Sequence, residues 1–300
     1  MWQFCDDCAR ILGARRVASG TTVRLGPRDD LGVAHLVPVD DPDDPRLRLY
    51  RALNDAELRR AVEDDEGVFV VEGVLVLRRA LTSPYPVRSL VLSPNRLEQL
   101  GPELDGVDAE VFVASRDVVR AVVGFDLHRG AVGLFGRTPL PPLATVLSGA
   151  RTVVVLEGVN DHENLGALFR TASALGADAV VLDPTCADPL YRRAVRVSMG
   201  EVLHLPFTRA RAWPHDLEVL AADGMTVLAL TPAGDAMPID AVDAPERLAL
   251  LLGAEGPGLT TAALAAAHLR VRIPIRGTVD SLNVGHAAAI ALHRLARAGQ

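Results

Sequence analysis

The sequence contains no lysine: all 31 of its basic residues are arginine. A GC-rich genome gives such usage, and its physical effect is that every cation is a planar fork suited to phosphate and base edges. Acidic residues outnumber the arginines, 38 to 31, leaving a formal net charge of −7. The chain as a whole is therefore no polycation, and any nucleic-acid site must be a local patch. Cysteine is almost absent. Cys5, Cys8 and Cys186 cannot build a disulfide framework, and no charged, then apolar, then small-residue leader opens the chain, so a reducing cytoplasm is expected. Cys5 and Cys8 make a lone CxxC, whereas a structural zinc site takes four ligands. Either His35 and nearby Asp residues complete it or the pair is incidental, and no metal is expected. Long apolar runs are lacking too: 248–252 and 262–267 fall far short of the ~20 residues of a membrane span.

What is present is an ordinary globular composition, 49% hydrophobic and 23% charged, over 300 residues. That length exceeds the roughly 100–200 residues usual for one domain, so two cores are expected. Residues 1–45 mix Gly, Arg and Asp with short apolar stretches and end in an acidic, Pro-punctuated linker at 39–46; strands over 21–25 and 33–37 would make a small appended hairpin. From 46 to 137, helices over 55–61, 74–81 and 116–123 alternate with strands over 67–72, 87–92, 109–113 and 130–134, the pattern of a small α/β sandwich. Pro139, Pro141 and Pro142 mark a linker over 138–150.

The last segment, 151–300, repeats strand and helix: strands over 152–157, 179–183, 202–206, 226–230, 248–252 and 271–275, and helices over 164–175, 189–197, 215–222, 260–267 and 281–298. Its strands are continuous Val/Leu/Ile runs, as a parallel sheet covered on both faces requires, so the fold class is α/β with a doubly wound second domain. Such sheets bind ligands beyond the carboxyl ends of their strands. Three loops there are unusual. Glu157 to Gly166 leads through Asn164 into a helix carrying Arg170 and Thr171. Asn164 is either a helix cap or a functional amide, and Arg170 either a solvated charge or a functional one. Gly253-Ala254-Glu255-Gly256-Pro257-Gly258-Leu259 places three glycines around one Glu, which lets backbone groups approach a flat ligand; an ordinary turn before a helix capped at Thr260 explains the glycines but not the Glu. After Ile275, Ser281-Leu282-Asn283 opens an Ala-rich helix, with Ser281 as its cap and Asn283 in a first turn that favours side-chain bonding. Arg192, Arg193 and Arg196 lie at i, i+1 and i+4 on a short helix, either a phosphate patch or a solvated face making ion pairs.

Taken together, these segments resemble the SpoU/TrmH branch of the SPOUT RNA methyltransferases. Asn164-Leu-Gly-Ala-Leu-Phe-Arg170-Thr171 is similar to the first motif, Gly253 to Leu259 to the second, and Ile273-Pro274-Ile-Arg-Gly277 with Ser281-Leu-Asn283-Val284 to the third; Tyr191 to Gly200 resembles the stretch between. His162-Glu163 stands where a Pro-containing pair is usual, and Gly285-His286 where a small hydroxyl residue often follows. The resemblance runs from about residue 46, since 46–137 resembles the L30e-like RNA-binding domain of many members, and implies a deep trefoil knot in 151–300, an exception to the rule against threading. It implies S-adenosylmethionine as cofactor, at Leu230, Thr231, Gly253, Ala254, Glu255, Gly256, Ile273, Ile275, Ser281, Leu282 and Asn283. It further implies catalysis by Arg170, Asn164, Glu255, Ser281 and Asn283 on a ribose 2′-hydroxyl of RNA, ribosomal before transfer RNA, within a homodimer. A nucleotide-dependent dehydrogenase is disfavoured because no GxGxxG follows the first strand of this segment. An inactive RNA-binding or assembly protein of the same fold is disfavoured by the intact motif residues.

Overall fold

The computed structural model describes residues 34–51, 53, 63, 65–124, 130–277 and 279–296. Cys5, Cys8, the strand expected over 21–25 and the helix expected over 55–61 lie outside the described residues. The chain divides into two compact units between Thr138 and Pro139.

In the first unit the strands β1 (His35–Val39), β2 (Val68–Glu72), β3 (Val87–Leu92), β4 (Glu110–Ala114) and β5 (Ala131–Gly136) form one sheet, in the order β1-β4-β3-β5-β2. Helices α1 (Val74–Leu81), α2 (Pro94–Leu104) and α3 (Arg116–Val123) connect them. β1 pairs parallel with β4, His35 against Glu110 through Val39 against Ala114, so this sheet begins upstream of residue 46. α2 was not anticipated, because Gly101-Pro102 reads as a break. Its Leu97, Leu100 and Leu104 are all buried, and Pro94 occupies a first-turn position where no N–H is needed, so burial overrides the local signal. Tyr50, Phe69, Phe112 and Phe135 are the largest buried side chains of this core.

The second unit is a seven-stranded sheet in which every pairing is parallel. Its strands are β6 (Thr152–Glu157), β7 (Ala179–Leu182), β8 (Phe207–Arg209), β9 (Thr226–Leu230), β10 (Met237–Pro238), β11 (Leu248–Gly253) and β12 (Leu269–Arg272), in the order β10-β12-β9-β11-β6-β7-β8. Its helices are α4 (Leu143–Leu147), α5 (His162–Ala174), α6 (Arg192–Val197), α7 (Asp216–Ala222), α8 (Thr261–Ala266) and α9 (Val284–Leu295). β6 and β7 are buried at every residue, which is why they read as unbroken apolar runs. Val153, Val155, Val181, Val227 and Leu251 form the core on one face, and α5 contributes buried Leu165, Leu168 and Phe169.

Two strands fall elsewhere than expected. Residues 201–203 form a 3₁₀ turn and the strand begins at Phe207, because Met199 (φ 56°) and Gly200 (φ 85°) reverse the backbone just before. The last strand ends at Arg272, ahead of Pro274, which has no N–H to give a ladder. The chain runs from β6 outward through β7 to β8 and then returns to the far side, with β11 set between β9 and β6. The winding direction thus reverses at the β6–β11 boundary, which sets the loop after β11 beside the switch point of the sheet.

Gly166 of α5 shows how tightly that end is packed. A Cβ there would lie 2.7 Å from the Ala194 carbonyl oxygen and 2.9 Å from the Val197 Cβ, both on α6. Alanine is the better helix former by about 1 kcal/mol. Overpacking costs about 1–3 kcal/mol, and a backbone carbonyl cannot rotate away, so the steric effect wins. Gly166→Ala is therefore expected to lower stability by about 1–2 kcal/mol in chemical denaturation, by forcing α5 and α6 apart.

Candidate active site

An open cavity of about 730 Å³ lies beyond the carboxyl ends of β9, β11 and β12. Leu230, Thr231 and Pro232 line it from the first, Leu252, Gly253, Ala254, Glu255, Gly256 and Gly258 from the second, and Ile273 and Ile275 from the third. Ser281, Leu282, Val284 and Ala287, at the start of α9, close it. Of the residues assigned to a cofactor by resemblance, Asn283 alone is outside this lining. Pro232, Leu252, Gly258, Val284 and Ala287 line the cavity as well, though they were not among the residues assigned to the cofactor. Leu252 and Val284 end regular apolar elements, where local pattern does not separate a core contact from a cavity wall.

The loop after β11 is folded back on itself. Gly253 has the Gly258 carbonyl carbon and the Leu259 nitrogen 2.5 Å from where its Cβ would be, so no other residue fits there without moving backbone. Ala254 and Gly258 are bridged, with the Gly258 N–H donating to the Ala254 carbonyl at 3.1 Å. Gly256 (φ 87°) and Gly258 (φ 67°) take the left-handed conformation, with nothing within 4 Å of the Cβ position, and their backbone is open to the cavity side. Thr260 then caps α8, its Oγ1 accepting from Ala263 N at 3.2 Å.

Asn283 joins the three unusual loops. Its Nδ2 donates to Asn164 Oδ1 at 2.8 Å and to Glu255 Oε1 at 2.6 Å. Its Oδ1 accepts from Gly285 N at 3.0 Å and His286 N at 3.3 Å, so Asn283, and not Ser281, is the cap of α9. Glu255 Oε1 also accepts from Val284 N at 3.4 Å. Nor does Asn164 cap α5: Asp161 does, accepting from Asn164 N at 2.8 Å. An acceptor residue three positions before that amide was visible in the sequence as an ordinary capping signal. With the cap supplied by Asp161, the Asn164 carboxamide is released to reach Asn283.

Arg170 stands apart from this cluster. It lies six residues beyond Asn164 on α5, about 9 Å along the axis at the helical rise, and its side chain is exposed. It makes no ion pair or hydrogen bond within the described residues. Ser281 is exposed at the cavity edge. Among the three arginines of α6, Arg193 pairs with Glu163 at the start of α5, 2.7 Å between Nη2 and Oε1, with both side chains about half exposed. Such a pair contributes under about 1 kcal/mol and serves mainly to orient its partners. Beside it the His162 and Tyr191 rings lie 4.0 Å apart, centroid to centroid.

Behind the first loop a polar turn after β7 is held by Asp183, which accepts from Thr185 N (3.1 Å), Thr185 Oγ1 (2.7 Å) and Cys186 N (2.8 Å). Burial opposes the Asp183 charge, but the bonds from Thr185, Cys186 and Gly158 outweigh it and hold the carboxyl below its ordinary range. Burial, with the Asp183 carboxylate beside it, pushes the Cys186 thiol up to about 12, so Cys186 is a packing residue here and not a nucleophile. No group of three or more His, Cys, Asp or Glu among the described residues is placed to hold a metal ion, and no described helix is long and apolar enough to cross a membrane.

Solved RNA methyltransferases share this fold. An rRNA methyltransferase of Sinorhizobium meliloti, solved with AdoMet bound, superposes with a TM-score of 0.72 at 26% identity, covering 86% of this chain and 97% of that one. The sequence model of the SpoU rRNA methylase family matches residues 151–293. A tRNA/rRNA methyltransferase of Mycobacterium tuberculosis, itself uncharacterised, is 50% identical over 264 residues, 87% of this chain and 92% of the relative. The 23S rRNA (guanosine(2553)-2′-O)-methyltransferase RlmP of Bacillus subtilis is 31% identical over 227 residues, 76% of this chain and 88% of the relative. The chain belongs to the SpoU family of RNA methyltransferases.

Asn283→Asp separates the two jobs of Asn283. Aspartate caps a helix as well as asparagine does, but it sets a second carboxylate against Glu255 where an amide N–H now donates at 2.6 Å. Two adjacent carboxylates favour holding a proton in the folded state, and a folded-state affinity raised above the unfolded one is stability lost as pH rises. Relative to the wild type, the variant is expected to melt several degrees lower at pH 8 and nearly alike at pH 4.5. Thermal melts at the two pH values check this.

Proposed function

We propose that this chain transfers a methyl group from S-adenosylmethionine to a ribose 2′-hydroxyl of RNA. The observation that carries the reading is the convergence of Asn164, Glu255 and Asn283 at the edge of the cavity beyond β9, β11 and β12. The cavity suits the cofactor in character, mostly apolar with a few convergent polar groups. Leu230, Leu252, Ile273 and Leu282 offer apolar walls to a purine, and the open backbone at Gly256 and Gly258 offers N–H and C=O groups to its polar edges.

The cofactor, when bound, supplies a methyl on a positively charged sulfur, and its transfer to an alcohol oxygen requires that the hydroxyl proton leave. The chain's part is to hold the ribose in line and direct that proton. Arg170 is the residue assigned to the hydroxyl. A guanidinium keeps its charge and is no proton acceptor, so it anchors a neighbouring phosphate or the developing alkoxide, and water or phosphate takes the proton. Its lack of a carboxylate partner within the described residues leaves it available for an anionic substrate. Arg192 and Arg196 extend that basic surface along α6, and Arg193 is held there by Glu163.

Ribosomal RNA is the preferred substrate over transfer RNA, supported by the RlmP relative, whose name specifies 23S rRNA and the 2′-oxygen. The first unit is read as an L30e-like substrate-binding domain, joined through Pro139, Pro141 and Pro142. In the second unit, the segment after β12 is read as threading a trefoil knot, in keeping with α9 returning to pack on β11 and α5. The working form is read as a cytoplasmic homodimer; Ile290, 43% exposed on α9, is an apolar side chain suited to the interface.

Calorimetric titration with S-adenosylmethionine, S-adenosylhomocysteine and NAD tests the class: the first two are expected to bind one per chain and NAD not at all. Arg170→Ala is expected to retain that affinity within about twofold while losing at least a hundredfold in methyl transfer, and Arg170→Lys to rescue it poorly, since an ammonium lacks the forked contact. Loss of cofactor binding in Arg170→Ala would make the residue structural. Light scattering on the purified protein is expected to give the mass of a dimer, and Ile290→Arg to shift it toward the monomer.

A further inference from the structure

Glu157, the last residue of β6, is only 4% exposed, and the methyl-transfer reading above gives it no role. Nor does the chain pair it with a cation among the described residues. Instead three neutral donors converge on it: Trp213 Nε1 on Oε1 at 2.6 Å, Thr260 Oγ1 on Oε1 at 2.8 Å and Thr260 N on Oε2 at 2.8 Å. A desolvated carboxylate bonded this way is held firmly, because each donor replaces water that the site excludes.

The placement of these bonds is specific. Glu157 stands opposite Gly253 in the β6–β11 register, and Gly253 is where the loop of residues 254–259 begins. Thr260, bonded twice by Glu157, is where that loop ends. One carboxylate therefore fixes the exit of the loop beside its entrance, and the missing Cβ of Gly253 lets the two ends touch. Between these ends lie Ala254, Glu255, Gly256 and Gly258, all on the cavity wall.

We propose that Glu157 is a positioning residue for the cofactor, acting through Thr260 to fix the shape of the loop that lines the cavity and carries Glu255. The proposal rests on the reading of that cavity as the S-adenosylmethionine site. It is distinct from a general contribution to stability, which would lower the active fraction and leave both Michaelis constants unchanged.

Glu157→Gln keeps the volume but turns an amide N–H toward either the Thr260 or the Trp213 donor. Its dissociation constant for S-adenosylhomocysteine is expected to rise by roughly tenfold, the scale of one lost charge-assisted bond. The KM for S-adenosylmethionine should rise with it while the KM for RNA stays at the wild-type value. Wild-type affinity in the folded variant, or a fall in kcat with both KM values unchanged, would overturn the proposal. Should Glu157→Gln not fold, the Thr260 pair decides: Thr260→Ser is expected to bind as the wild type and Thr260→Val several-fold more weakly, and equal binding by the two overturns it. Failure of the wild-type protein itself to bind S-adenosylhomocysteine would count against the cavity reading instead.

Discussion

The register between β6 and β11 is the constraint on which the functional end of the second unit depends. Six consecutive pairs, Thr152 with Leu248 through Glu157 with Gly253, bring together strands almost a hundred residues apart. Both strands are buried on both faces over nearly their whole length, so a slip by one residue would reverse every side chain in two packed layers. Fixing the register at the buried end fixes what stands beyond it. A Cβ at Gly158 would then lie 3.6 Å from the Ala254 Cβ, Glu157 reaches Thr260, and the two loops leave the sheet side by side.

On that frame the exposed polar groups need little intrinsic strength. Glu255 and Asn283 are solvent-exposed and Asn164 half-buried, so each bond among them contributes on the order of 1 kcal/mol or less to stability. Their effect is geometric. Asn283 fixes the first turn of α9 with its oxygen and gathers the other two loops with its nitrogen, so the helix cannot start elsewhere without dissolving the cluster. The close approach of Gly285 to Ala167, 3.6 Å from a Cβ at the glycine, holds α9 against α5 directly below. Small residues make the approach possible, and the amide gives it direction.

Much of this was legible in the sequence because it rests on local signals. Continuous Val/Leu runs identified the parallel strands, and the glycine cluster after 252 marked where backbone comes close to its surroundings. What was not legible depended on distant partners. Asp161 as the cap of α5 is a local signal, but the partner of the freed Asn164 carboxamide, Asn283, lies 119 residues on. Ser281 and Asn283 compete for one cap, and the choice is made by Glu255 and Asn164, which no local window contains. The helix at Pro94–Leu104 was missed for a related reason: Gly101-Pro102 predicts a break, and three leucines buried in the first core overrule it.

Glu157 is the clearest case of information that lies between segments. In the sequence it is the final residue of an apolar strand, with nothing to separate it from a solvated charge at a loop start. In the structure it is among the few buried carboxylates, and its donors come from positions 56 and 103 residues downstream. A buried carboxylate without a cation is costly, and leucine at the same place would be cheaper for folding alone. Leucine could not, however, accept from the Thr260 N–H and hydroxyl, and the exit of the glycine-rich loop would lose both of those bonds. The polar choice at the end of β6 therefore follows from the same demand as the glycines of the loop it faces: backbone that is open to a ligand on one side has to be fixed from the other.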